Sequence, residues 1–135
     1  KIGGGINDNS DELQHFRQLL AQEKNPKILV HGGGKGANRL LEQLGIEPKM
    51  INGRRITDQE TLDVVTGLYA GNLNKNIVAY LQKIDQNAIG LSGADANVIM
   101  AKKRKVNEID YGFVGDLNDE SVNQKTIKSL KVNIT

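Results

Sequence analysis

Several residue types are absent or scarce in this chain of 135 residues, and each absence narrows the class of protein. There is no cysteine, which excludes a disulfide framework and a thiolate metal site and favours a reducing, cytoplasmic compartment. No apolar run approaches the ~20 residues of a membrane-spanning helix. We therefore expect no membrane partner. The formal net charge is only +2, which is too small to indicate a nucleic-acid partner.

The remaining composition is that of one soluble globular domain, with 38% apolar and 25% charged residues. One basic run stands out, Lys102-Lys103-Arg104-Lys105, but no aromatic side chain is interleaved with it. Nucleic-acid-binding segments commonly combine basic and aromatic residues. We therefore predict a solvated surface loop at this run.

Glycine is plentiful, and two glycine clusters stand where a strand is expected to end and a helix to begin. They are Lys1-Ile2-Gly3-Gly4-Gly5 and Val30-His31-Gly32-Gly33-Gly34. Because glycine has no Cβ, its backbone amides can approach an anion closely, and the N-terminus of the following helix adds partial positive charge. Two such loops predict a phosphate site and phosphoryl-transfer chemistry.

Apolar residues at helical spacing, together with capping signals, predict the helices. The first is expected at about 10–22 and the second at about 36–44, with Gly45 as its C-cap. A third begins at a capping box of Thr57 and Glu60 and is interrupted at Gly71-Asn72. The helical pattern resumes over 77–81, and a last helix is expected over about 120–130.

Two short apolar runs, Ile28-Leu29-Val30 and Ala88-Ile89-Gly90-Leu91, predict strands buried in a parallel sheet. An Asn52-Gly53 turn predicts a hairpin over 50–56, and a second hairpin is expected from 98–101 and 112–115. Because parallel strands joined by a right-handed crossover end at the same sheet edge, both glycine clusters would converge on one ligand. The predicted fold class is therefore α/β.

A few side chains near these loops are candidates for chemistry. Lys1 abuts the first cluster, where its ammonium can neutralise charge on a transferring phosphoryl group. His31 is predicted to pack or hydrogen-bond, because a carboxylate acceptor is already ionised near pH 7 and needs no general base. Arg54 and Arg55 either clamp a carboxylate or are simply solvated. Asp95 is predicted to be a turn residue rather than an active-site acid, and no spacing of His, Asp or Glu predicts a metal cage.

The second glycine cluster also fits a looser pattern, because Gly32, Gly34 and Ala37 satisfy the G-x-G-x-x-A dinucleotide motif. That interpretation requires an acidic residue about twenty positions further on, to bind the ribose. The corresponding region is the hairpin at 52–55, which is basic. A Walker A loop is excluded because Lys35 is followed by Gly36, where serine or threonine is needed.

Taken in order, these motifs resemble the amino acid kinase family, and the resemblance runs from Lys1 to about Leu130. The segments that carry it are Lys1-x-Gly3-Gly4, Val30-His31-Gly32-Gly33-Gly34, Asn52-Gly53-x-Arg55-Ile56-Thr57 and Leu73-Asn74-Lys75-Asn76-Ile77-Val78. The resemblance implies a three-layer α/β/α sandwich with a mainly parallel central sheet. Residues 1–135 would form its N-terminal, acylamino-acid-binding lobe, and the ATP-binding lobe would lie outside this chain. The glycine loop at the very start and the apolar residues at the very end also suggest a portion of a larger protein.

Within that family, the hairpin motif is similar to that of kinases acting on N-acylated glutamate. The resemblance implies ATP-dependent phosphorylation of the γ-carboxylate of N-acetyl-L-glutamate, giving N-acetyl-L-glutamyl 5-phosphate in arginine biosynthesis. ATP and Mg²⁺ would bind mainly to the other half. The alternatives are a glutamate 5-kinase, carbamate kinase, aspartokinase or UMP kinase, a dinucleotide-binding domain, or a binding and assembly module without activity of its own.

The resemblance also implies roles for individual residues. Lys1 would contact the phosphates in the transition state, and Arg55 would bind the α-carboxylate of the substrate from a hairpin that acts as a lid. Backbone amides would hold the substrate and the transferred phosphoryl group; these are the amides of Gly3, Gly4, Gly33 and Gly34. A homodimer or higher oligomer is implied through the helix near 62–69, whose apolar stripe is broad.

Overall fold

A computed structural model describes residues 10–22 and 25–132 of the chain. Its helices are α1 (Ser10–Gln22), α2 (Gly34–Gln43), α3 (Gln59–Thr66), α4 (Asn74–Lys83) and α5 (Gln124–Val132). A π-helical segment, Gly67–Leu73, joins α3 to α4 and is called the π segment below. The strands β1 (Met50–Ile51) and β2 (Arg54–Arg55) form one antiparallel pair, and β3 (Lys102–Lys103) and β4 (Gly115–Asp116) form another.

The first two helices follow the local sequence signals. Helix α1 has the predicted bounds, and α2 begins two residues earlier than predicted, at Gly34. It ends as expected, since Gly45 adopts a φ of +76° and its amide bonds the Glu42 carbonyl at 3.0 Å. A left-handed residue just after a helix is the common glycine C-terminal signal. The C-terminal prediction for α2 is therefore confirmed.

The first hairpin is also confirmed. Strands β1 and β2 pair with Met50 opposite Arg55 and Ile51 opposite Arg54. The two turn residues, Asn52 and Gly53, have φ values of +50° and +74°. Positive φ at both central positions is what a two-residue hairpin turn that matches strand twist requires. Side chains alternate along β2, so Arg54 is exposed while Arg55 is half-buried.

The start of α3 differs from the prediction. The N-cap is Asp58, whose carboxylate accepts the Thr61 amide at 2.9 Å, and not Thr57. Thr57 is buried, and its backbone bonds the chain at 111–113: its amide donates to the Tyr111 carbonyl at 2.9 Å, and its carbonyl accepts from Phe113 at 2.7 Å. The predicted capping box is wrong because a distant segment occupies the backbone of Thr57.

The expected interruption at Gly71-Asn72 is wrong as well. The chain stays right-handed helical from α3 through the π segment into α4, with Thr66, Leu73 and Asn74 all in the ordinary helical region. A π segment widens the helix by one residue per turn without breaking it. Tyr69 and Leu73 are consequently held in one continuous element with Asn74.

The core lies where α2 crosses α3. Ala37, Leu41 and Val65 are buried, and their partly buried neighbours are Ile46, Val64, Leu68 and Tyr69. Full burial of a side chain such as Leu41 contributes on the order of 1.5–3 kcal/mol. This contact fixes the glycine-rich start of α2 against the π segment.

The two apolar runs predicted as buried strands are not paired as strands within the described residues. Ile28, Val30 and Ile89 are 62%, 55% and 56% exposed, and the described sheets are the two antiparallel pairs. Strands of a parallel sheet become buried only when helices cover both faces, and the described elements leave these side chains uncovered. Elsewhere in the described part of the chain, Thr57 and Gly112 form an isolated parallel bridge. The parallel sheet and the layering of the sandwich therefore stay predictions.

A second hairpin is present, but its first strand is not the predicted one: β3 occupies Lys102–Lys103 and not 98–101, and β4 overlaps the predicted 112–115 only at Gly115. The basic run is not a loop, because Lys102 and Lys103 form β3 opposite β4, although both lysines are exposed. Arg104 pairs with Asp116, and its Nε lies 2.8 Å from the carboxylate. Helix α5 starts four residues later than predicted, after a capped 3₁₀ turn at Asp119–Ser121. Over the described part of the chain, every helix is too short or too polar to span a bilayer.

The Asp58 cap leads to a testable pH effect. Hydrogen bonds from the backbone and side chain of Thr61 hold the pKa of Asp58 below its ordinary value. A lowered folded-state pKa stabilises the protein above the ordinary Asp pKa, and that contribution is lost as the pH falls through the folded-state pKa. We expect Asp58→Ala to lower the urea midpoint at pH 7 and to differ less from wild type near pH 3.

Asp58→Asn is the matched control, because asparagine caps helices as well as aspartate but does not titrate. Its urea midpoint at pH 7 should stay close to that of the wild-type protein. An Asp58→Ala variant with an unchanged midpoint at pH 7 would contradict the capping role. Circular dichroism during urea unfolding measures all three proteins.

Candidate active site

The second glycine cluster forms an uncapped helix N-terminus. Gly33 is the N-cap residue of α2 and has no side chain with which to cap it. The first intrahelical bond joins the Ala37 amide to the Gly33 carbonyl at 2.9 Å. Within the described residues, the amides of Gly34, Lys35 and Gly36 have no hydrogen-bond partner. Free amides at the positive end of a helix dipole are suited to bind an anion.

The glycines at this helix start are needed for different reasons. A Cβ on Gly33 would collide with Leu73 Cδ1 and lie 2.9 Å from Tyr69 Cε1, so glycine is required there by the close approach of the π segment. A Cβ on Gly34 would meet nothing within 4 Å. Gly33 is therefore a packing glycine, whereas Gly34 lies exposed at the candidate anion site.

Arg55 lies beside the same helix start. Its Nη2 donates to the Gly34 carbonyl at 3.0 Å and its Nε donates to Asn38 Oδ1 at 3.2 Å. Its Nη1 lies 3.4 Å from the Tyr69 hydroxyl. The structure thus brings together three of the predicted site residues, Gly33, Gly34 and Arg55. Arg54 is on the opposite face of β2, which separates the two arginines that the sequence left equivalent.

A second polar group lies behind the glycine cluster. The Asn74 amide donates to the Leu91 carbonyl at 3.4 Å, and its nitrogen lies 3.3 Å from His31 Nε2. Lys75 Nζ donates to the Gly90 carbonyl at 2.9 Å. His31 is thus a hydrogen-bonding histidine, as predicted. The same contacts join the ends of the two apolar runs, so those ends lie side by side.

Asp95 has the predicted role of a turn residue. Its carboxylate accepts from the Ser92 amide at 2.6 Å and from the Ser92 hydroxyl at 2.7 Å. These bonds, together with the positive charge of Lys75, hold the pKa of Asp95 below its ordinary value. Both bonds join residues of one turn, so Asp95 stabilises the loop in which it lies.

Three further residues of this site, Asn38, Tyr69 and Asn74, had no predicted role. Asn38 lies one helical turn after Gly34, which was a usable signal because residues four apart share a helix face. Lys1, Gly3 and Gly4 lie outside the described residues. Among the residues that are described, no three His, Asp or Glu side chains group into a metal-binding set.

Together, these features describe an α/β domain in which free amides at a helix start lie next to an arginine guanidinium, an arrangement suited to an anion. A model described as the amino acid kinase family matches residues 1–131 of this chain. The chain belongs to the amino acid kinase family. That assignment disfavours the dinucleotide-binding alternative.

Similar proteins agree with the family. The acetylglutamate kinase of Parabacteroides distasonis is 52% identical over 130 residues, which are 96% of this chain and 50% of that protein. The acetylglutamate kinase of Cytophaga hutchinsonii is 57% identical over 118 residues, which are 87% of this chain and 45% of that protein. The chain spans about half the length of the curated relatives it matches.

A solved structure supports the fold. The crystal structure of smu.665 from Streptococcus mutans superposes with a TM-score of 0.73 at 24% identity, covering 99% of this chain and 54% of that one. At this identity the likeness shows the fold alone. The family match and this likeness together support an α/β, kinase-like fold.

Proposed function

We propose that the full-length protein phosphorylates the γ-carboxylate of N-acetyl-L-glutamate with ATP, giving N-acetyl-L-glutamyl 5-phosphate for arginine biosynthesis. The observation that carries this proposal is the Arg55 guanidinium beside the free amides of α2, in a chain 52–57% identical to acetylglutamate kinases. An arginine fork suits a carboxylate, and a helix N-terminus suits a phosphoryl group. A ligand with both groups fits between them.

We propose that residues 1–135 form the acylamino-acid-binding lobe and that ATP binds mainly to the other half. In the full-length protein the apolar runs at 28–30 and 88–91 would enter the parallel sheet of a three-layer sandwich. A homodimer or higher oligomer near 62–69 and a cytoplasmic setting belong to the same proposal. The described residues offer no carboxylate set for a divalent ion, so we propose that Mg²⁺ binds with ATP through residues outside them.

In the proposed reaction, a γ-carboxylate oxygen attacks the γ-phosphorus of ATP, and the bond from that phosphorus to the bridging oxygen breaks, releasing ADP. The carboxylate is ionised near pH 7, so no described residue has to remove a proton. Arg55 would hold the α-carboxylate, and the amides at 34–36 would stabilise the phosphoryl oxygens. Lys1 would add positive charge as the transition state forms.

A substrate panel tests the proposed function. The full-length protein with ATP is given N-acetyl-L-glutamate, glutamate, aspartate, carbamate or UMP, and both ADP release and trapping of acyl phosphate by hydroxylamine are measured. We expect both signals with N-acetyl-L-glutamate and neither with glutamate. Turnover with another acceptor in place of N-acetyl-L-glutamate would favour a different kinase of the family.

The same assay examines Lys1. In a Lys1→Ala variant, kcat should fall by a larger factor than KM rises, because the proposed contact forms with the transferring phosphoryl group. Lys1→Arg serves as the control that keeps the charge but changes its geometry. Full turnover in Lys1→Ala would refute the role assigned to that lysine.

A further inference from the structure

Asn74 is a buried amide at the junction of the π segment and α4. Only 7% of the residue is exposed, and it contacts two separate parts of the chain. Its Nδ2 lies 3.3 Å from His31 Nε2 and 3.4 Å from the Leu91 carbonyl, and its Oδ1 accepts from Lys75 Nζ at 3.2 Å. A buried amide that makes all these contacts stabilises one arrangement of its neighbours.

The partners of Asn74 decide which way its amide points. A lysine ammonium only donates hydrogen bonds, so the atom facing Lys75 must be the oxygen. A backbone carbonyl only accepts, so the atom facing Leu91 must be the nitrogen. Both requirements give the same orientation, and the nitrogen is also the atom next to His31. Asn74 therefore donates to His31 Nε2.

This orientation determines the tautomer of His31. A ring nitrogen that accepts a hydrogen bond carries no proton, so the proton of the neutral imidazole is on Nδ1. Nδ1 is shielded from solvent and has no hydrogen-bond partner within the described residues. With a proton on Nε2, that N–H group and the Asn74 Nδ2 amide would both be donors, and no hydrogen bond could form between them.

Gly90 leaves the space that this amide occupies. A Cβ on Gly90 would collide with Asn74 Oδ1 and lie 2.8 Å from Val78 Cγ2. Position 90 therefore offers a second way to displace the Asn74 amide without changing Asn74 itself. The contact also shows that the run ending at Leu91 packs directly on α4.

We propose that Asn74 is a positioning residue for the glycine site. Its amide selects the Nδ1–H tautomer of His31 and so fixes the residue from which the chain enters Gly32-Gly33-Gly34. It also links that residue to the end of the second apolar run through Leu91. The kinetic part of this proposal rests on the proposed function, whereas the tautomer does not.

The test combines imidazole NMR with kinetics on the full-length protein. Proton–nitrogen correlation spectra distinguish the two tautomers, and the His31 signals are assigned by their loss in His31→Gln. In the wild-type protein we expect the unprotonated nitrogen to be Nε2. Asn74→Asp replaces the donor with an acceptor, so it should place a proton on Nε2. Gly90→Ala should disturb the same signal.

Asn76→Asp is the matched control, because it makes the same chemical change two residues along α4 at an exposed position. We expect the control to keep the wild-type tautomer and KM. Asn74→Asp should raise the KM for N-acetyl-L-glutamate by about tenfold, the order expected when a buried hydrogen bond that fixes a loop is lost. The KM for ATP should change little.

A wild-type spectrum with the proton on Nε2 would overturn the proposal, even if every variant failed to fold. Equal KM values for N-acetyl-L-glutamate in Asn74→Asp and Asn76→Asp would also overturn it. A wild-type protein inactive on N-acetyl-L-glutamate would instead refute the proposed function. In that case the spectra of wild type and Asn74→Asp still decide whether Asn74 sets the tautomer.

Discussion

Replacing Arg55 with alanine is expected to lower kcat/KM for N-acetyl-L-glutamate by about 10²- to 10³-fold, mainly through KM. Losing one partner of a desolvated, hydrogen-bonded charge pair typically costs about 2–5 kcal/mol, and each 1.4 kcal/mol is about tenfold. Arg55→Lys should recover only part of the loss, because an ammonium cannot form the two parallel bonds of a guanidinium. Steady-state kinetics with N-acetyl-L-glutamate as the varied substrate measures both variants.

Arg54→Ala is the matched control for Arg55. The two arginines are adjacent, but Arg54 is exposed on the other face of β2. There its positive charge interacts with the Asp116 carboxylate. We expect its KM to stay within about twofold of wild type, as for most surface substitutions away from a site. Equal losses in Arg54→Ala and Arg55→Ala would contradict the assignment of the substrate carboxylate to Arg55.

A substitution at Asn38 tests independently whether the substrate carboxylate binds Arg55. Its amide oxygen now accepts from both Nε and Nη2 of Arg55, which is the edge that a carboxylate would bind. Asn38→Asp would put a carboxylate of the protein on that edge, where it competes with the substrate. We expect a raised KM with little change in kcat. An unchanged KM would show that the substrate does not use this edge.

The sequence predicted those elements whose conformation is decided by neighbouring residues. Asn52-Gly53 determines a hairpin because both residues tolerate positive φ, and Gly45 ends α2 for the same reason. The capping box at Thr57 was wrong because Tyr111 and Phe113 occupy its backbone, and no local pattern encodes that contact. Likewise, an apolar run such as Ile28-Leu29-Val30 indicates that its side chains become buried. It does not identify the helix or strand that packs on them.

The candidate site likewise contains residues that local sequence could predict and residues that depend on tertiary contacts. Glycine at 33 and 34 was predictable, because anion-binding helix starts favour glycine. The alternation of β2 implied that Arg54 and Arg55 face opposite ways, but which one meets α2 depends on how the hairpin packs. Asn38 and Asn74 both act through single amides. The spacing of Asn38 from Gly34 indicates only a shared helix face, and Asn74 has no comparable signal. Their roles follow only from the three-dimensional contacts.

Gly33→Ala and Gly34→Ala are expected to have opposite effects on folding. At Gly33 the new methyl group would press against Leu73 and the Tyr69 ring, and such overpacking typically costs about 1–3 kcal/mol. At Gly34 it would meet nothing, and alanine in a helix is favoured over glycine by about 0.5–1 kcal/mol. Urea unfolding should therefore show a lower midpoint for Gly33→Ala and an equal or higher one for Gly34→Ala.

Activity should separate the two glycines further. Gly33→Ala should lose most turnover together with stability, because Tyr69 also contacts Arg55. Gly34→Ala should remain folded yet lose turnover, because its methyl group enters the space where a phosphoryl group would approach the amides of α2. A stable and fully active Gly34→Ala variant would place the phosphoryl group elsewhere. A Gly33→Ala variant as stable as wild type would refute the packing role of that glycine, because the π segment would then have room for a side chain.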